Sequence, residues 1–316
     1  MQLKRPSAAA VTAFTASVEQ LTSGEGRLLL AVSGGPDSLA LLLLAHAALP
    51  DRIEAATMDH GLRQEAADEA IFVGNVCGSL GIQHHILHPA QPIAGSLQAE
   101  ARRERYAALH TRAITSGCDW IATAHHADDQ LETILMRIAR GSGIDGLAAV
   151  RARHGRVIRP LLHFRKTDLE GICAECRVTP IFDPSNLDLH FDRVAVRQWL
   201  ANSRHPLEAH RAVQTANACA DASEALNWVT EQYYHTHVQL SANDVTLETS
   251  NLPRELLRRL TLRIIDTLQP GYTPRGEALD EAMHALAKGE QRMLGDIICQ
   301  GGTNWRFRPA PKRRHS

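Results

Sequence analysis

Residues 33–38 read Ser-Gly-Gly-Pro-Asp-Ser, between the apolar run Leu28–Val32 and a second apolar run, Leu39–Ala45. A short apolar run, a glycine-rich turn and a longer apolar run predict a buried strand, a tight turn and a helix. The two glycines let the backbone bend and come close to a ligand. The first N–H groups of the helix, together with the hydroxyls of Ser33 and Ser38, favour an anion such as phosphate.

This loop differs from two common phosphate-binding patterns. It contains neither the lysine of the Walker pattern nor the Gly-x-Gly-x-x-Gly of dinucleotide-binding domains. Asp37, inside the loop, is a candidate partner for magnesium or pyrophosphate. An ordinary strand-to-helix turn is the alternative for two glycines and a serine taken alone, but the full string after an apolar strand is more specific.

Composition and length set the first limits. The chain has 316 residues, enough for two domains, and hydrophobic residues make up 44% of it. Its formal net charge of −1 excludes binding of nucleic acid through overall charge, so such a surface needs local clustering of basic residues. The six cysteines are scattered and predict no disulfide framework. No signal peptide or membrane span is recognisable, so we expect a cytoplasmic protein without a membrane partner and leave its oligomeric state open.

The order of apolar runs predicts the fold class. From Leu28 to about Thr123, strand and helix patterns alternate, which predicts an α/β domain with a parallel sheet and helices on both faces. Ligands of such sheets bind at the carboxyl ends of the strands, and Ser33, Asp59 and His125 each follow a predicted strand. We therefore expect these three side chains to share one crevice.

The pattern changes after about residue 150. We predict an N-terminal segment over 1–24, a domain with the phosphate-binding loop over 25–208 and a smaller, mainly helical C-terminal domain over 209–316 with a basic tail. One short strand is expected in the last domain, near Val245–Glu248. The Pro- and Arg-rich end, Trp305–Ser316, is expected to be irregular.

Two further segments carry groups that suit a nucleotide. Asp59-His60-Gly-Leu-Arg63 follows the second strand, so His60 can contact the nucleotide and Arg63 a phosphate, although such a string taken alone is more often a capped turn. The helix that contains Arg102, Arg103 and Arg105 presents arginines around its circumference, so at least one is expected to face the crevice. A solvated charged helix face is the alternative.

The second strong signal is the acidic stretch His125-His-Ala-Asp-Asp-Gln-Leu-Glu-Thr133. Glu132 lies four residues after Asp128 and three after Asp129, which places carboxylates on one helix face. Such a cluster suits magnesium, or can orient an attacking amine and take its proton. An acidic helix N-terminus is one alternative. A zinc site with His125 and His126 is a weaker one, because the histidine spacing of zinc helices is missing.

A basic belt follows, with eight Arg and Lys residues between 137 and 166 against one acidic residue, Asp145. Such a local excess suits RNA, and a solvated surface is the alternative. The residues predicted to bind RNA are Arg137, Arg140, Arg151, Arg153 and Arg159. Beyond the belt, Cys173-x-x-Cys176 can mark a redox pair or half an iron–sulfur site, but no second pair accompanies it, so two unrelated thiols are the simpler interpretation.

Seven motifs in order carry a family resemblance. They are Ser33–Ser38, Asp59–Arg63, Ala101–Tyr106, His125–Thr133, Arg140–Gly146, Arg159–Leu162 and Asp183–Asn186. Together they resemble the tRNA(Ile)-lysidine synthetases, which belong to the PP-loop ATP pyrophosphatase superfamily. The resemblance covers roughly residues 25–200 and implies a Rossmann-like fold of the adenine nucleotide α-hydrolase type.

The resemblance also implies a reaction. Enzymes of this family use ATP and Mg²⁺ to adenylate the C2 oxygen of the wobble cytidine in a tRNA(Ile) with the anticodon CAU. The amine of free L-lysine then displaces AMP, and the resulting lysidine reads AUA instead of AUG. The chemistry is reasonable, because adenylation turns a poor leaving group into a good one and a nearby carboxylate helps the amine attack.

The resemblance assigns roles residue by residue. Ser33, Gly34, Gly35, Pro36, Asp37, Ser38, Asp59, His60 and His125 would bind ATP. Asp37, Asp129, Glu132, Arg102 and Arg197 would be catalytic, and Asp37 and Asp129 would hold magnesium, with the choice between Asp128 and Asp129 left open.

The match is incomplete in two places. Val194 stands where the family has Asn, and longer relatives carry two further C-terminal modules that grip the acceptor stem. Three alternatives stay open: a PP-loop tRNA 2-thiolation enzyme, a small-molecule ligase with the same loop, and a non-catalytic RNA-binding protein.

Overall fold

A computed structural model describes residues 3–59, 61, 64–89, 97–181, 192–241 and 244–311 of the chain. The chain divides into two compact units, 1–220 and 221–316. The boundary predicted between residues 208 and 209 falls at the first residue of the helix Ala209–His237, which continues past residue 220.

The first unit alternates helices and strands from its start. Its elements are α1 (Ala8–Thr22), β1 (Leu28–Ala31), α2 (Pro36–Ala48), β2 (Ile53–Met58), α3 (Gln64–Leu80), β3 (His84–Leu87), α4 (Leu97–Ser116), β4 (Trp120–Ala122), α5 (Ala127–Ala139), α6 (Ile144–Leu147), β5 (Arg153–His154), β6 (Val157–Ile158), α7 (Lys166–Glu175), α8 (Asp192–Asn202) and the first part of α9 (Ala209–His237).

Six strands form one sheet in the order β3-β2-β1-β4-β6-β5. All neighbours pair in parallel except β5 and β6. Because β1 pairs with both β2 and β4, the loops that follow these three strands adjoin one another at the carboxyl edge. The predicted parallel sheet is confirmed, and it places the sequence motifs along one edge.

Both faces of this sheet are covered, as the alternation of side chains along a strand requires. Leu28 and Leu30 of β1 belong to the core cluster that includes α2, whereas Leu29 packs with Leu109 of α4 on the other face. Phe14 of α1 is also fully buried in the first of these clusters. Within the N-terminal segment predicted over 1–24, α1 is therefore part of the first unit, because its apolar face packs into that unit's core.

The second unit combines helices with an antiparallel sheet. Beyond the end of α9 it contains β7 (Val238–Leu240), β8 (Val245–Glu248), α10 (Arg254–Leu268), α11 (Gly276–Ala287), β9 (Gln291–Leu294), β10 (Ile297–Gln300) and β11 (Asn304–Pro309). The strand order is β7-β8-β11-β10-β9. Helices still contribute more residues than strands, but the sequence pattern indicated only β8.

The expectation of an irregular end is wrong for residues 305–309, which belong to β11. Trp305 and Phe307 point into the core of the second unit, and Arg306 and Arg308 alternate with them on the exposed face. This alternation is the period-2 pattern of a half-buried strand, and the expectation of an irregular end was wrong because it followed the Pro- and Arg-rich composition instead. Within the described residues, no helix has the length and apolarity needed to cross a membrane.

The contact between β10 and α11 predicts one sensitive position in the second unit. A Cβ atom on Gly301 would lie 2.1 Å from the carbonyl oxygen of Leu286 and 2.7 Å from its Cα, and backbone cannot move aside as a side chain can. We expect Gly301→Ala to destabilise the second unit by at least about 2 kcal/mol. Hydrogen–deuterium exchange of peptides from residues 291–309 measures this loss.

Gly276→Ala is the matched control, because Gly276 lies in α11 and no atom outside its own helix approaches its Cβ position within 4 Å. It should leave exchange unchanged or slow it, since alanine reduces the entropy of the unfolded chain. Equal exchange in Gly301→Ala and the native protein would contradict the close packing of β10 on α11.

Candidate active site

The loop between β1 and α2 has the tight geometry that its glycines predict. Gly35 precedes α2, and Pro36 is the first residue of the helix, where its missing N–H costs nothing. Gly34 has a φ of +86° and accepts a hydrogen bond from the N–H of Ile181 at 2.9 Å. A Cβ on Gly34 would lie 3.0 Å from Cδ1 of Ile181, so both conformation and space favour glycine at this position.

The two serines of the loop lie together. The N–H of Ser33 donates to Oγ of Ser38 at 3.1 Å, and this hydroxyl donates to the carbonyl oxygen of Gly35 at 3.0 Å. Ser38 thereby closes the turn. The first N–H groups of α2 have no acceptor within the helix, so the loop offers donors and a favourable dipole to an anion.

A buried histidine connects this loop to the acidic start of α5. Nε2 of His126 lies 3.6 Å from Oδ2 of Asp37 and 3.6 Å from Oδ2 of Asp129, while Nδ1 lies 3.5 Å from Oδ2 of Asp128. Only 3% of His126 is exposed. The N-terminal turns of α2 and α5 therefore meet through one imidazole ring.

The charge of this ring follows from its neighbours. Burial alone lowers the pKa of His126, but interactions with Asp128, Asp37 and Asp129 outweigh burial and raise it to about 10. Burial likewise acts to raise the pKa of Asp128 and of Asp129, yet His126 and their hydrogen bonds hold both below the usual aspartate value. At neutral pH the site thus contains an imidazolium beside the ionised carboxylates of Asp128 and Asp129.

The neighbouring acids Asp128 and Asp129 have different partners. Oδ2 of Asp128 accepts the N–H of Lys166 at 2.8 Å and so anchors the start of α7. Oδ2 of Asp129 accepts the N–H of His126 at 3.0 Å and caps α5. Oδ1 of Asp37 is buried and has no hydrogen-bond partner among the described residues. The loop thus contains one buried carboxylate oxygen that a cation can use.

Glu132 serves a different purpose from the aspartates. Its oxygens accept two hydrogen bonds from Arg197 of α8, at 2.7 and 3.1 Å, and Nε of Arg193 lies 3.1 Å from Oε2. Arg193 also donates to Oγ1 of Thr133 at 2.8 Å. Glu132 is 2% exposed, whereas both arginines retain about a third of their side-chain surface. The carboxylate predicted to meet magnesium or an amine instead holds two guanidinium groups at the rim.

His125 and Arg159 lie behind these groups. The Thr123 hydroxyl lies 2.9 Å from Nδ1 of His125, and burial lowers the pKa of His125 to about 3, so the ring is neutral. Arg159 is 7% exposed and donates to the carbonyl oxygen of Arg151 at 2.6 Å. The prediction that Arg159 lies on an RNA-binding surface is wrong, because its side chain is inside the unit, where its charge lowers the pKa of His125.

Other predicted RNA-binding arginines also have intramolecular partners. Arg140 pairs with Asp192, and Arg153 lies 4.4 Å from the ring of Trp120 and donates to the carbonyl oxygen of Leu21. Arg137 is exposed on α5. The belt is therefore not one continuous free surface.

The structure describes some of the candidate residues that follow β2 or lie on α4, and not others. Oδ1 of Asp59 accepts the N–H of Gly61 at 2.8 Å, which is the capped turn that the string suggested. Arg102 is exposed, with its guanidinium 5.1 Å from the ring of Tyr106. His60, Arg63 and the segment 183–186 lie outside the described residues.

The chain is similar in sequence to known proteins. Residues 6–204 match the PP-loop domain family. The chain is 42% identical over 299 residues to the tRNA(Ile)-lysidine synthase of Zymomonas mobilis, an alignment that covers 92% of this chain and 90% of that protein. It is 38% identical over 304 residues to the tRNA(Ile)-lysidine synthase of Novosphingobium aromaticivorans, with 93% and 92% covered. The chain belongs to the tRNA(Ile)-lysidine synthase family.

A solved structure supports the fold at lower similarity. The U34-tRNA thiolase NcsA of Methanococcus maripaludis, solved with its [4Fe-4S] cluster, superposes with a TM-score of 0.54 at 17% identity, covering 66% of this chain and 79% of that one. This likeness confirms the PP-loop fold. Membership of the lysidine synthase family makes the chain an enzyme of the PP-loop ATP pyrophosphatase superfamily, with ATP as its nucleotide.

The residues present fit magnesium brought in with a nucleotide. The described part of the chain contains no group of three or more His, Cys, Asp or Glu side chains arranged to hold a metal alone. Mg²⁺ in nucleotide enzymes is commonly bound by one or two carboxylates together with phosphate oxygens. The unpartnered Oδ1 of Asp37, with Asp129 beside the same ring, meets that requirement.

Two residues of the candidate site were not predicted from the sequence. His126 was considered only as a zinc ligand, although a histidine directly before an acidic first turn is placed to receive those carboxylates. Arg193 lies one helical turn before Arg197, so the two share a face of α8. That spacing was visible in the sequence, but their common partner was not.

We expect Glu132→Gln to weaken the contact between α5 and α8. The change leaves two guanidinium groups without their counter-charge, and we expect a loss of about 2 kcal/mol of unfolding free energy, less than for a fully buried pair because the arginines are partly solvated. Urea denaturation measures the loss.

Glu170→Gln, on the exposed side of α7, is the control and should change stability little. A double-mutant cycle with Arg197→Gln should give a coupling energy of at least about 1 kcal/mol. Strictly additive effects of the two substitutions would contradict the ion pair.

Proposed function

We propose that this chain ligates L-lysine to C2 of the wobble cytidine of a tRNA(Ile) with the anticodon CAU, using ATP and Mg²⁺ in the cytoplasm. The observation that carries the proposal is the junction of the phosphate loop and the acidic helix through His126. It occurs in a chain that aligns with tRNA(Ile)-lysidine synthases over most of its length. The product reads AUA instead of AUG.

ATP would bind across the carboxyl ends of β1, β2 and β4. The Ser33–Ser38 loop and the N-terminus of α2 would hold the phosphates, as the loop geometry supports. Asp37 and Asp129 would hold Mg²⁺, which on binding would neutralise phosphate charge. Asp59, His60 and the neutral ring of His125 would line the remainder of the nucleotide site.

The first chemical step would form an adenylated cytidine. The C2 oxygen attacks the α-phosphorus of ATP, a new P–O bond forms, and pyrophosphate leaves. Negative charge then moves onto the pyrophosphate, so fixed positive charges near the site assist. Arg193 and Arg197, held in place by Glu132 yet partly exposed, are suited to this stabilising role, and Arg102 is a further candidate.

The second step would form lysidine. The lysine amine attacks C2, the C2–O bond breaks, AMP leaves with the oxygen, and the nitrogen loses a proton. Because the pKa of Asp129 is held below its usual value, this carboxylate is a weak base. It is therefore better suited to orient a positively charged ammonium or Mg²⁺ than to remove the proton.

The thiolation alternative requires reactive cysteines, and the two candidates are poorly suited. Cys173 is 1% exposed, with Sγ 3.3 Å from the carbonyl oxygen of Pro36 beneath the phosphate loop. Burial raises the pKa of Cys173 to about 12 and that of Cys176 to about 11. Thiols with such values are scarcely ionised at neutral pH, and the thiolate is the nucleophile and the metal ligand.

The reaction itself is the decisive test. The protein is incubated with ATP, Mg²⁺, labelled lysine and a tRNA(Ile) transcript with the anticodon CAU, and the tRNA is then digested to nucleosides. We expect a cytidine heavier by lysine minus water, together with AMP and pyrophosphate. Asp37→Asn should lower the rate at least about a hundredfold, because a charge at the reacting phosphates is lost.

Asp51→Asn is the matched control, because Asp51 is exposed in the loop before β2. It should react like the native protein. Unmodified cytidine with every ingredient present would contradict the proposal. Full ATP–pyrophosphate exchange without tRNA would instead favour the small-molecule ligase.

A cysteine double variant separates ligation from thiolation. We expect Cys173→Ala with Cys176→Ala to form lysidine within about twofold of the native rate, because neither thiol is ionised or exposed. Native protein treated with iodoacetamide at pH 8 should be labelled at Cys219, which is partly exposed, before either of these two. Loss of tRNA modification with the fold retained, by circular dichroism, would support a sulfur-transfer role.

A further inference from the structure

An aromatic pair on the first unit has no role in the site described above. Trp199, on α8, stacks with His205, with ring centroids 5.7 Å apart and planes inclined by 22°. Although the histidine covers one of its faces, 51% of Trp199 is exposed. A singly exposed apolar side chain needs no explanation, but a half-exposed tryptophan whose ring is held by a stacked neighbour offers a fixed planar surface.

The histidine holds this surface in one orientation. Nε2 of His205 lies 2.9 Å from the carbonyl oxygen of Leu200, and Nδ1 accepts the N–H of Leu207 at 3.2 Å. Both ring nitrogens are therefore engaged, which requires the neutral tautomer with hydrogen on Nε2. Because the histidine ring is fixed by backbone groups, it presents the tryptophan as a preorganised platform.

The position of the pair on α8 indicates what it can contact. Arg197 and Trp199 lie two residues apart, which corresponds to about 200° around the helix and about 3 Å along it. Arg197 points to Glu132, so Trp199 lies on the far side of α8 from the carboxylates. The platform thus shares α8 with an arginine of the candidate active site but lies outside that site.

One basic side chain adjoins the platform in the sequence. Arg204, next to His205, is exposed, and no carboxylate of the described residues pairs with it. A flat aromatic face beside an unneutralised guanidinium suits an unpaired nucleobase with its phosphate, because bases stack on aromatic rings and phosphates pair with arginine. An acidic protein partner would pair with the arginine, but its binding would not require the planar ring of the tryptophan.

We propose that Trp199, supported by His205, is a stacking platform for an unpaired RNA base that flanks the reacting nucleotide. This inference rests on the proposed function, which supplies the RNA. Since Trp199 faces away from Glu132, the stacked base is a neighbour of the cytidine in the single-stranded loop and not the cytidine itself. Trp199 is therefore a binding residue that contributes to RNA affinity and not to the bond-making steps.

The test compares three single variants of the full chain. We expect Trp199→Ala to raise the KM for tRNA about tenfold, with kcat and the KM for ATP within twofold of native, because one base stack is lost. Trp199→Phe should lose less affinity. Trp228→Ala, which removes a tryptophan that is 67% exposed in the second unit, is the matched control and should behave like native. Thermal melting checks that each variant is folded.

A fluorescence titration tests the stack without turnover. An anticodon stem-loop RNA should quench part of the tryptophan emission of the native protein, and that part should be absent in Trp199→Phe. A fully paired duplex of the same length should not produce it. Because this readout needs no lysidine formation, quenching without product would overturn the proposed reaction and leave the platform standing.

Three outcomes would overturn the platform. The first is an unchanged KM for tRNA in folded Trp199→Ala together with identical quenching in Trp199→Phe. The second is equal quenching by stem-loop and duplex, which would mean that no unpaired base is recognised. The third is a change of sedimentation coefficient in Trp199→Ala without a change in RNA affinity, which would make the surface an interface between copies of the chain.

Discussion

The buried imidazolium of His126 is the interaction on which the site depends. Asp37 comes from the loop after β1, and Asp128 and Asp129 come from the first turn of α5 after β4. Three carboxylates this close would repel one another and, when buried, would tend to take up protons. The imidazolium among them offsets this repulsion and lowers the pKa of Asp128 and Asp129, and the parallel pairing of β1 with β4 brings their loops together. The site therefore depends on two features: the sheet order brings the loops together, and the imidazolium offsets the charge of their carboxylates.

Much of this arrangement was predictable, because it follows from local pattern. The apolar runs of β1 and α2 and the glycines between them specify a strand, a turn and a helix, and parallel strands direct their loops to one edge. The partners of Glu132 were not predictable, because Arg197 lies 65 residues further along the chain. β11 is a different case, because the alternation of Trp305 and Phe307 with arginines is a local strand pattern that the sequence does contain.

The basic belt shows how charge along a sequence differs from charge on a surface. Arg159 is buried, Arg153 lies on Trp120, Arg140 pairs with Asp192, and Arg165 pairs with Asp168. Each of these guanidinium groups already has an intramolecular partner, so the attraction of the belt for RNA is weaker than a count of residues suggests. Recognition of RNA then requires contacts that charge counting does not reveal, and stacking on an exposed ring is one such contact.

The neighbouring acids of α5 illustrate why residue type alone does not assign chemistry. Asp128, Asp129 and Glu132 share a helix face, yet one anchors the start of α7, one caps its own helix beside the phosphate loop, and one holds two arginines. Both oxygens of Glu132 already contact arginines. This carboxylate is therefore not available to a metal ion and instead holds two guanidinium groups at the rim of the site. The candidate site therefore has carboxylates next to the phosphate loop and guanidinium groups near α8. A reaction that expels pyrophosphate and then admits an amine needs both, and the spacing of acids along α5 separates them.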